Sequence, residues 1–381
     1  MCRQRHGWSR APAKGLVKTN FYPVILAGGR GTRFWPLSRK KHAKQMLALN
    51  SERSMIQETV DRLKAVAPEK RFWVITNDNL RRGIAKQLPK LRKHQIVAEP
   101  VGRNTAPAIG LAAFLIARED PKAILGLFPS DHVIENEDRF TAAVKKAIGI
   151  AAVGPNMVVM GIRATRPETG YGYIEAGEKA ANGALMVRRF HEKPNHEKAE
   201  EFLRAGHYYW NSGMFVWGAQ TLVDALREHL PKTAKVLGKI AETWGTRKFD
   251  KTFEKLYPTC ENISVDYAVL EPRSAKGAES HLYCIPAAFH WNDLGSWTAL
   301  YEHHSRDLQH AANVIKADKA FELDASGNYV YSPKKFVAAL GVSGLVVVET
   351  EDALLITTRE RAQDVGKIVK HLDEKKLKKL V

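Results

Sequence analysis

From Pro23 to Ile162 the chain alternates short hydrophobic runs with amphipathic stretches of helical period, and this rhythm restricts the fold more than any other feature. "VILA", "FWVIT", "QIVA", "AILGLF" and "MVVMGI" read as short buried strands. Between them lies "SMIQETVDRLKAV", where Ser54 and Gln57 form a capping box ahead of Ile56, Val60 and Leu63 at helical spacing. Further helices are expected over 79–88, 105–117 and 138–151. Strands and helices in this order predict an α/β fold, a Rossmann-like, mixed but mostly parallel sheet covered by helices on both faces.

After Ile162 the rhythm changes. "GYGYIEAG" and "ALMVRRFHEKP" read as hairpin arms punctuated by glycine, expected to form a cap over the sheet. A helix at 197–205, the strand-like "WNSGMFVW" and a helix near 219–229 then return to the main sheet. "GNYVYSP", "KFVAALGVSGLVVVET" and "ALLITT" predict a small β-rich C-terminal domain, closed by a helix on which Val365, Ile368, Val369 and Leu372 share one face. A chain of 381 residues is long for one core. The expected division is a flexible leader over 1–20, a main domain over 21–304 and the β-rich domain over 305–381.

Composition narrows the function classes. Apolar residues at 44% and charged residues at 26% are ordinary for a globular protein. No apolar run approaches the roughly 18–20 residues that span a bilayer, and residues 1–20 lack a hydrophobic signal core. The three cysteines, Cys2, Cys260 and Cys284, have no metal-ligand spacing, so a reducing cytoplasm is expected. The formal charge of +18 favours anionic partners. Its spread along the chain, without a recognisable nucleic-acid module, argues against nucleic acid as the principal ligand and leaves acidic lipid, phosphorylated metabolites or a solvated basic surface.

Where such an anion would sit is suggested by "VILAGGRGTRFWPLSRKKHAKQML". A strand running into Gly28, Gly29 and Gly31 lets backbone N–H groups approach a phosphate without a Cβ in the way. The spacing matches neither the dinucleotide fingerprint nor a Walker loop. Arg33, Trp35-Pro36, Arg39 and Lys44 follow closely; a guanidinium bridges phosphate oxygens as a fork, whereas an ammonium acts as a mobile point charge.

Gly28 to Arg39, with Lys44-Gln45, resembles the sugar-nucleotide pyrophosphorylases, and within them the mannose-1-phosphate guanylyltransferases, whose motif runs Gly-Gly-x-Gly-Thr-Arg-x-Trp-Pro-x-Ser-Arg and then Pro-Lys-Gln. Ala43 stands where that family usually has proline, a change expected to loosen Lys44 without removing its charge. The resemblance spans about residues 22–375 and extends to "EPVGRNTAPAIGLAA", "LGLFPSDHVI", "TGYGYIEAG", "FHEKPN", "YYWNSGMFVW", "ISVDYAVLE" and "WNDLGSW".

It implies that Gly28, Gly29, Gly31, Thr32, Arg33 and Lys44 hold the nucleotide phosphates, with Asn104 and Thr105 near the base, although either of the last two could simply cap the helix that follows. It assigns Asp131 and Asp293 to Mg²⁺; Asp131 read alone serves equally as a cap of its turn. Gly172, Glu175 and Asn211 are implied at the hexose, Lys193 at its phosphate, and Asp266 at the start of a helix lining the sugar pocket. The implied reaction joins GTP and mannose 1-phosphate into GDP-mannose and pyrophosphate, catalysed by Arg33, Lys44, Asp131 and Asp293, and is compatible with a homodimer. Some relatives append an isomerase domain, for which this chain is too short, so one activity is expected. The same chemistry on another sugar or base, or a non-catalytic sugar-nucleotide sensor, is the alternative.

Overall fold

The computed structural model describes residues 20–180, 183–308 and 311–381, so that residues 1–19 of the expected leader, and Cys2 with them, lie outside the described residues. Strands β1 (Phe21–Leu26), β2 (Trp73–Asn77), β3 (Ile96–Glu99) and β4 (Ile124–Pro129) pair in parallel in the order β3-β2-β1-β4. Helices α1 (Met55–Leu63), α2 (Asp78–Gln87) and α3 (Thr105–Glu119) connect them, and the Ser54–Gln57 capping box forms as its sequence predicts. Strand alternation divides the core between two faces. Val24, Leu125 and Leu127 join α3 on one side, while Ile25, Ile124 and Phe128 join α1 and α4 (Glu137–Ala151) on the other.

A short strand, β5 (Val133–Glu135), precedes α4, and β6 (Met157–Arg163) follows it. The pieces expected to cap the sheet are instead part of it. Strands β7 (Tyr173–Lys179) and β8 (Leu185–His191), then α5 (His196–Ala205) and β9 (Tyr208–Gly218), complete a nine-stranded sheet in the order β3-β2-β1-β4-β9-β6-β10-β8-β7, where β10 is Leu282–Pro286. Strand β9 runs antiparallel to β4, β6 and β7, so β9, β6, β10, β8 and β7 close on one another. The hairpin arms satisfy their backbone groups on the free edges of β9 and β10, and no second layer is needed. The sheet is thus parallel across its first four strands and largely antiparallel beyond them.

Helices α6 (Ala219–His229), α7 (Pro231–Glu242) and α8 (Phe249–Leu256) pack on the α3 face. One π-helical turn, Asp266–Leu270, leads into the short α9 (Glu271–Ser274). Strand β11 (His290–Asn292) pairs antiparallel with β5, and α10 (Trp297–Ser305) follows, capped by the Ser296 hydroxyl.

The C-terminal sheet has the order β12 (Val314–Leu323), β13 (Tyr329–Leu340), β14 (Leu345–Glu349) and β15 (Leu354–Thr358). Strands β12 and β13 are parallel neighbours separated by residues 324–328 alone. Such a connection reaches at most about 21 Å, shorter than a straight ten-residue strand of about 33 Å. The chain therefore coils, its register shifting between Ala317 and Lys319, as a β-helix-like turn requires. Buried Asn328 ties neighbouring coils by donating to Asn313 Oδ1 and to the Val342 carbonyl. Helix α11 (Val365–Glu374) buries Val365, Val369 and Leu372. These join Phe34 and Trp35 of the glycine-rich segment and Trp297 of α10 in one core.

Candidate active site

One end of the antiparallel β5–β11 ladder, where Asn292 pairs with Val133, brings together residues that lie far apart in sequence. Asp131 precedes β5 and Asp293 follows β11, and Lys44 joins them, its Nζ 3.0 Å from Asp131 Oδ2 and 2.5 Å from the Asp293 carbonyl. The Lys44 side chain is only 6% exposed, so its ammonium is shielded and its field is poorly screened. Burial alone would raise the Asp131 carboxyl, but Lys44 and His132 more than offset it and hold the group below the usual carboxylate range. Tyr171 donates to Asp293 Oδ1 at 2.8 Å, which leaves Oδ2 without a protein donor among the described residues.

Why Lys44 sits here follows from the turn before it. Gly31 has φ 62°, the left-handed region, and a Cβ there would collide with the Lys44 side chain. Gln45 donates to the carbonyls of Ala27 and Gly29 and pins the loop from inside, while the space above Gly29 is open. Ala43 is fully buried with φ −76°, already inside the range that proline would impose.

The other basic residues of the run diverge. Arg33 donates to Gln363 just before α11, and the Thr32 hydroxyl lies beside Gly366 of that helix. Arg39 turns to the C-terminal domain, paired with Asp352 at 2.7 Å and bonded to the Lys379 carbonyl. Half-exposed Arg30 pairs with Asp373.

Beside the Lys44 cluster a cavity of about 220 Å³ is lined by Thr105, Gly172, Asn211, Asp266 and Asp293, five residues singled out in sequence, and by Tyr171, which was not. His132 and Trp291 form part of its wall, the indole donating to His132 Nδ1 at 3.1 Å, so the neutral imidazole carries its proton on Nε2. Asn211 donates to Asp266 Oδ1 at 2.9 Å. Burial and the neighbouring Glu192 push the Asp266 carboxyl up to about 6.

Glu175 is not in this cavity. It lies on the face of β7 turned to α5, between His191 and His207 at 3.9 and 3.8 Å, an assignment the structure corrects. The carboxylate that does line the cavity is Glu192, its side chain 5% exposed and so close to Gly172 that a Cβ there would meet Oε2 at 2.5 Å. Lys193 is half-exposed, with φ 46°, and pairs with Glu192, which offsets its burial and raises its pKa.

Asn104 and Thr105 both have structural work. Asn104 accepts from the Thr105 amide at the start of α3, and Thr105 Oγ1 accepts from the Val265 amide. A residue that sequence reading missed is Glu99, at the C-terminal end of β3. Its Oε1 accepts from the Tyr257 hydroxyl at 2.6 Å, its Oε2 would lie 3.7 Å from a Cβ on Gly28, and burial pushes its carboxyl up to about 7. The available signal was a glutamate ending a buried strand run, as Glu192 ends another.

Comparison with known proteins places the chain in a family. Residues 22–310 match the family described as Nucleotidyl transferase, and residues 318–372 the MannoseP isomerase/GMP-like beta-helix domain. The chain is 41% identical over 358 residues to mannose-1-phosphate guanylyltransferase RfbM of Salmonella typhimurium, covering 93% of this chain and 72% of that protein. It is 39% identical over 366 residues to a mannose-1-phosphate guanylyltransferase of Escherichia coli K12, covering 94% and 74%. A Thermus thermophilus crystal structure titled mannose-1-phosphate geranyltransferase superposes with a TM-score of 0.82 at 31% identity, covering 93% of this chain and all of the other.

Proposed function

Since the chain belongs to the mannose-1-phosphate guanylyltransferases of the nucleotidyl transferase family, we propose that it transfers GMP from GTP to α-D-mannose 1-phosphate, giving GDP-mannose and pyrophosphate. A phosphate oxygen of the sugar attacks the α-phosphorus of GTP in line. The new P–O bond joins the two phosphates, and the bond from the α-phosphorus to the α–β bridging oxygen breaks, that oxygen leaving with pyrophosphate. The nucleophile is already anionic, so no general base is needed, and positioning with charge neutralisation supplies the catalysis.

The observation that carries this reading is the shielded Lys44 ammonium between Asp131 and Asp293 at the edge of a cavity lined by carboxyl and amide groups. Lys44 neutralises charge on the α-phosphate. The amides of Gly28, Gly29 and Gly31, with Arg33, receive the departing phosphates. Glu192, Asn211 and Asp266 take the sugar hydroxyls, and Lys193 its phosphate.

Glu99 supports the choice of guanine. When ionised, Glu99 would offer Oε2 beside Gly28 to the N1–H or N2–H donors of guanine, while burial, which raises the carboxyl to about 7, favours its neutral form without the base. Asp131 and Asp293 form an all-oxygen donor set, and Mg²⁺ needs only one or two carboxylates when phosphates and waters complete its shell. When bound, the ion would supply positive charge to the reacting phosphates. Among the described residues no group of three or more His, Cys, Asp or Glu side chains is placed to hold a metal without such help. No helix among them is long and apolar enough to cross a membrane.

The deciding experiment measures pyrophosphate release with Mg²⁺ and mannose 1-phosphate, with GTP, ATP, UTP and dTTP in parallel, and with GTP and glucose 1-phosphate. Turnover confined to GTP with mannose 1-phosphate is the expected result. Turnover with another pair would reassign the specificity, and none with any pair would leave a sugar-nucleotide sensor.

A further inference from the structure

Segment 36–49, which carries Lys44, has a second surface. Between it and the C-terminal sheet lies an open crevice of about 650 Å³ that shares no lining residue with the sugar-side cavity. Lys316 on β12 lines it, half-buried. The Lys316 ammonium lies 3.5 Å from the Leu49 carbonyl and 3.3 Å from His304 Nε2, and it makes no ion pair among the described residues. His304 Nε2 is itself 3.0 Å from the Leu49 carbonyl, to which it donates, so that nitrogen carries its proton and cannot accept from Lys316. Three N–H donors therefore share one long contact to a carbonyl.

The rest of the lining suits an anion that also bears hydroxyl groups. Lys379 and His42 add basic groups, Tyr331 and Thr350 add hydroxyls, and Leu37 and Leu47 add apolar surface. Two acids are present as well. Asp352 is neutralised by Arg39 at 2.7 Å, which leaves Glu351 as one acid against Lys316 and Lys379. Burial pushes the Lys316 amine down, the direction expected of a cation short of counter-charge.

We propose that this crevice is a second ligand site, which takes a small phosphomonoester with its phosphate on Lys316 and Lys379 and braces segment 36–49 against the C-terminal sheet. The proposal does not rest on the reaction assigned above.

Calorimetry on the full chain tests it, with inorganic phosphate and glucose 6-phosphate as probes and Lys316→Ala, Lys379→Ala and Lys193→Ala as variants. The expected result is a saturable binding component in wild type that weakens at least about tenfold in Lys316→Ala and measurably in Lys379→Ala, and that persists in Lys193→Ala. Bound probe should also slow amide exchange in residues 36–49 and 314–331. Tighter binding of glucose 6-phosphate would identify a sugar phosphate as the ligand, and equal binding the free anion. Lys379 is exposed, so its variant keeps the test valid should Lys316→Ala fail to fold. Absence of saturable binding to wild type, or loss in Lys193→Ala with retention in the two crevice variants, would overturn the proposal.

Discussion

The parallel and antiparallel halves of the main sheet build their parts of the site in different ways. In the parallel half, β1, β3 and β4 each end at the same edge, and the residues just past or at those ends are the ones that matter: the Gly28–Gly31 loop, Glu99, and Asp131. Parallel strands present all their C-terminal ends on one side, so position along the chain nearly dictates position in space. In the antiparallel half, β7, β8 and β9 run in alternate directions, and which residues reach the cavity depends on the face each side chain takes. There a register shift next to Glu175 and the turn of β8 into Glu192 exchange the two carboxylates.

The sharpest break between the halves should come from the Lys44 cluster. Asp131→Asn and Asp293→Asn should each lower kcat by about 100-fold to 1000-fold or more, with an unchanged circular dichroism spectrum. Near-wild-type rates would remove both from the chemistry. A pair of variants then asks whether the cavity is read correctly. Glu192→Gln should lower kcat/KM for the sugar phosphate by roughly 10-fold to 100-fold, the loss of a charge-assisted hydrogen bond, whereas Glu175→Gln should change it by less than about threefold. The reverse order would restore Glu175 to the site.

Asp266 gives a smaller, pH-dependent effect. With its carboxyl raised from 3.8 to about 6, the folded chain binds more protons than the unfolded chain across that window. This group's contribution to stability therefore falls as pH rises through the window and is level above it. Asp266→Asn keeps an acceptor for Asn211 and should raise the melting temperature at about pH 7 while leaving it unchanged near pH 4. A constant difference at both would refute the assignment. The smallest effect belongs to Ala43→Pro. Its φ of −76° already suits proline, so the substitution should add about 0.4–1 kcal/mol of stability in denaturant titration and leave kcat unaltered.

Much of this was legible in sequence because it is local. The capping box at Ser54, the strands before Gly28 and Asp131, and the buried face of α11 each follow from neighbours a few residues apart. The failures are non-local. Arg39 stands in the same basic run as Lys44, yet its partner Asp352 lies more than 300 residues away, and nothing in the run distinguishes the residue that clamps the C-terminal domain from the one that reaches Asp131. The hairpin of β7 and β8 read as a separate cap because free edges on β9 and β10 are invisible until the sheet order is known.

By itself, then, the sequence determined which segments become strands and helices, that a glycine turn stands at the head of a parallel sheet, and which side chains could meet phosphate and metal. Hydrophobic period, capping and turn chemistry act over a few residues and need no partner. Only the tertiary structure decided which of the basic residues faces Asp131, which glutamate lines the cavity beside it, and that the C-terminal domain shares a core with the loop it supports. Those outcomes depend on strand order, register and packing across long separations, where one residue of shift sends a side chain to the opposite face.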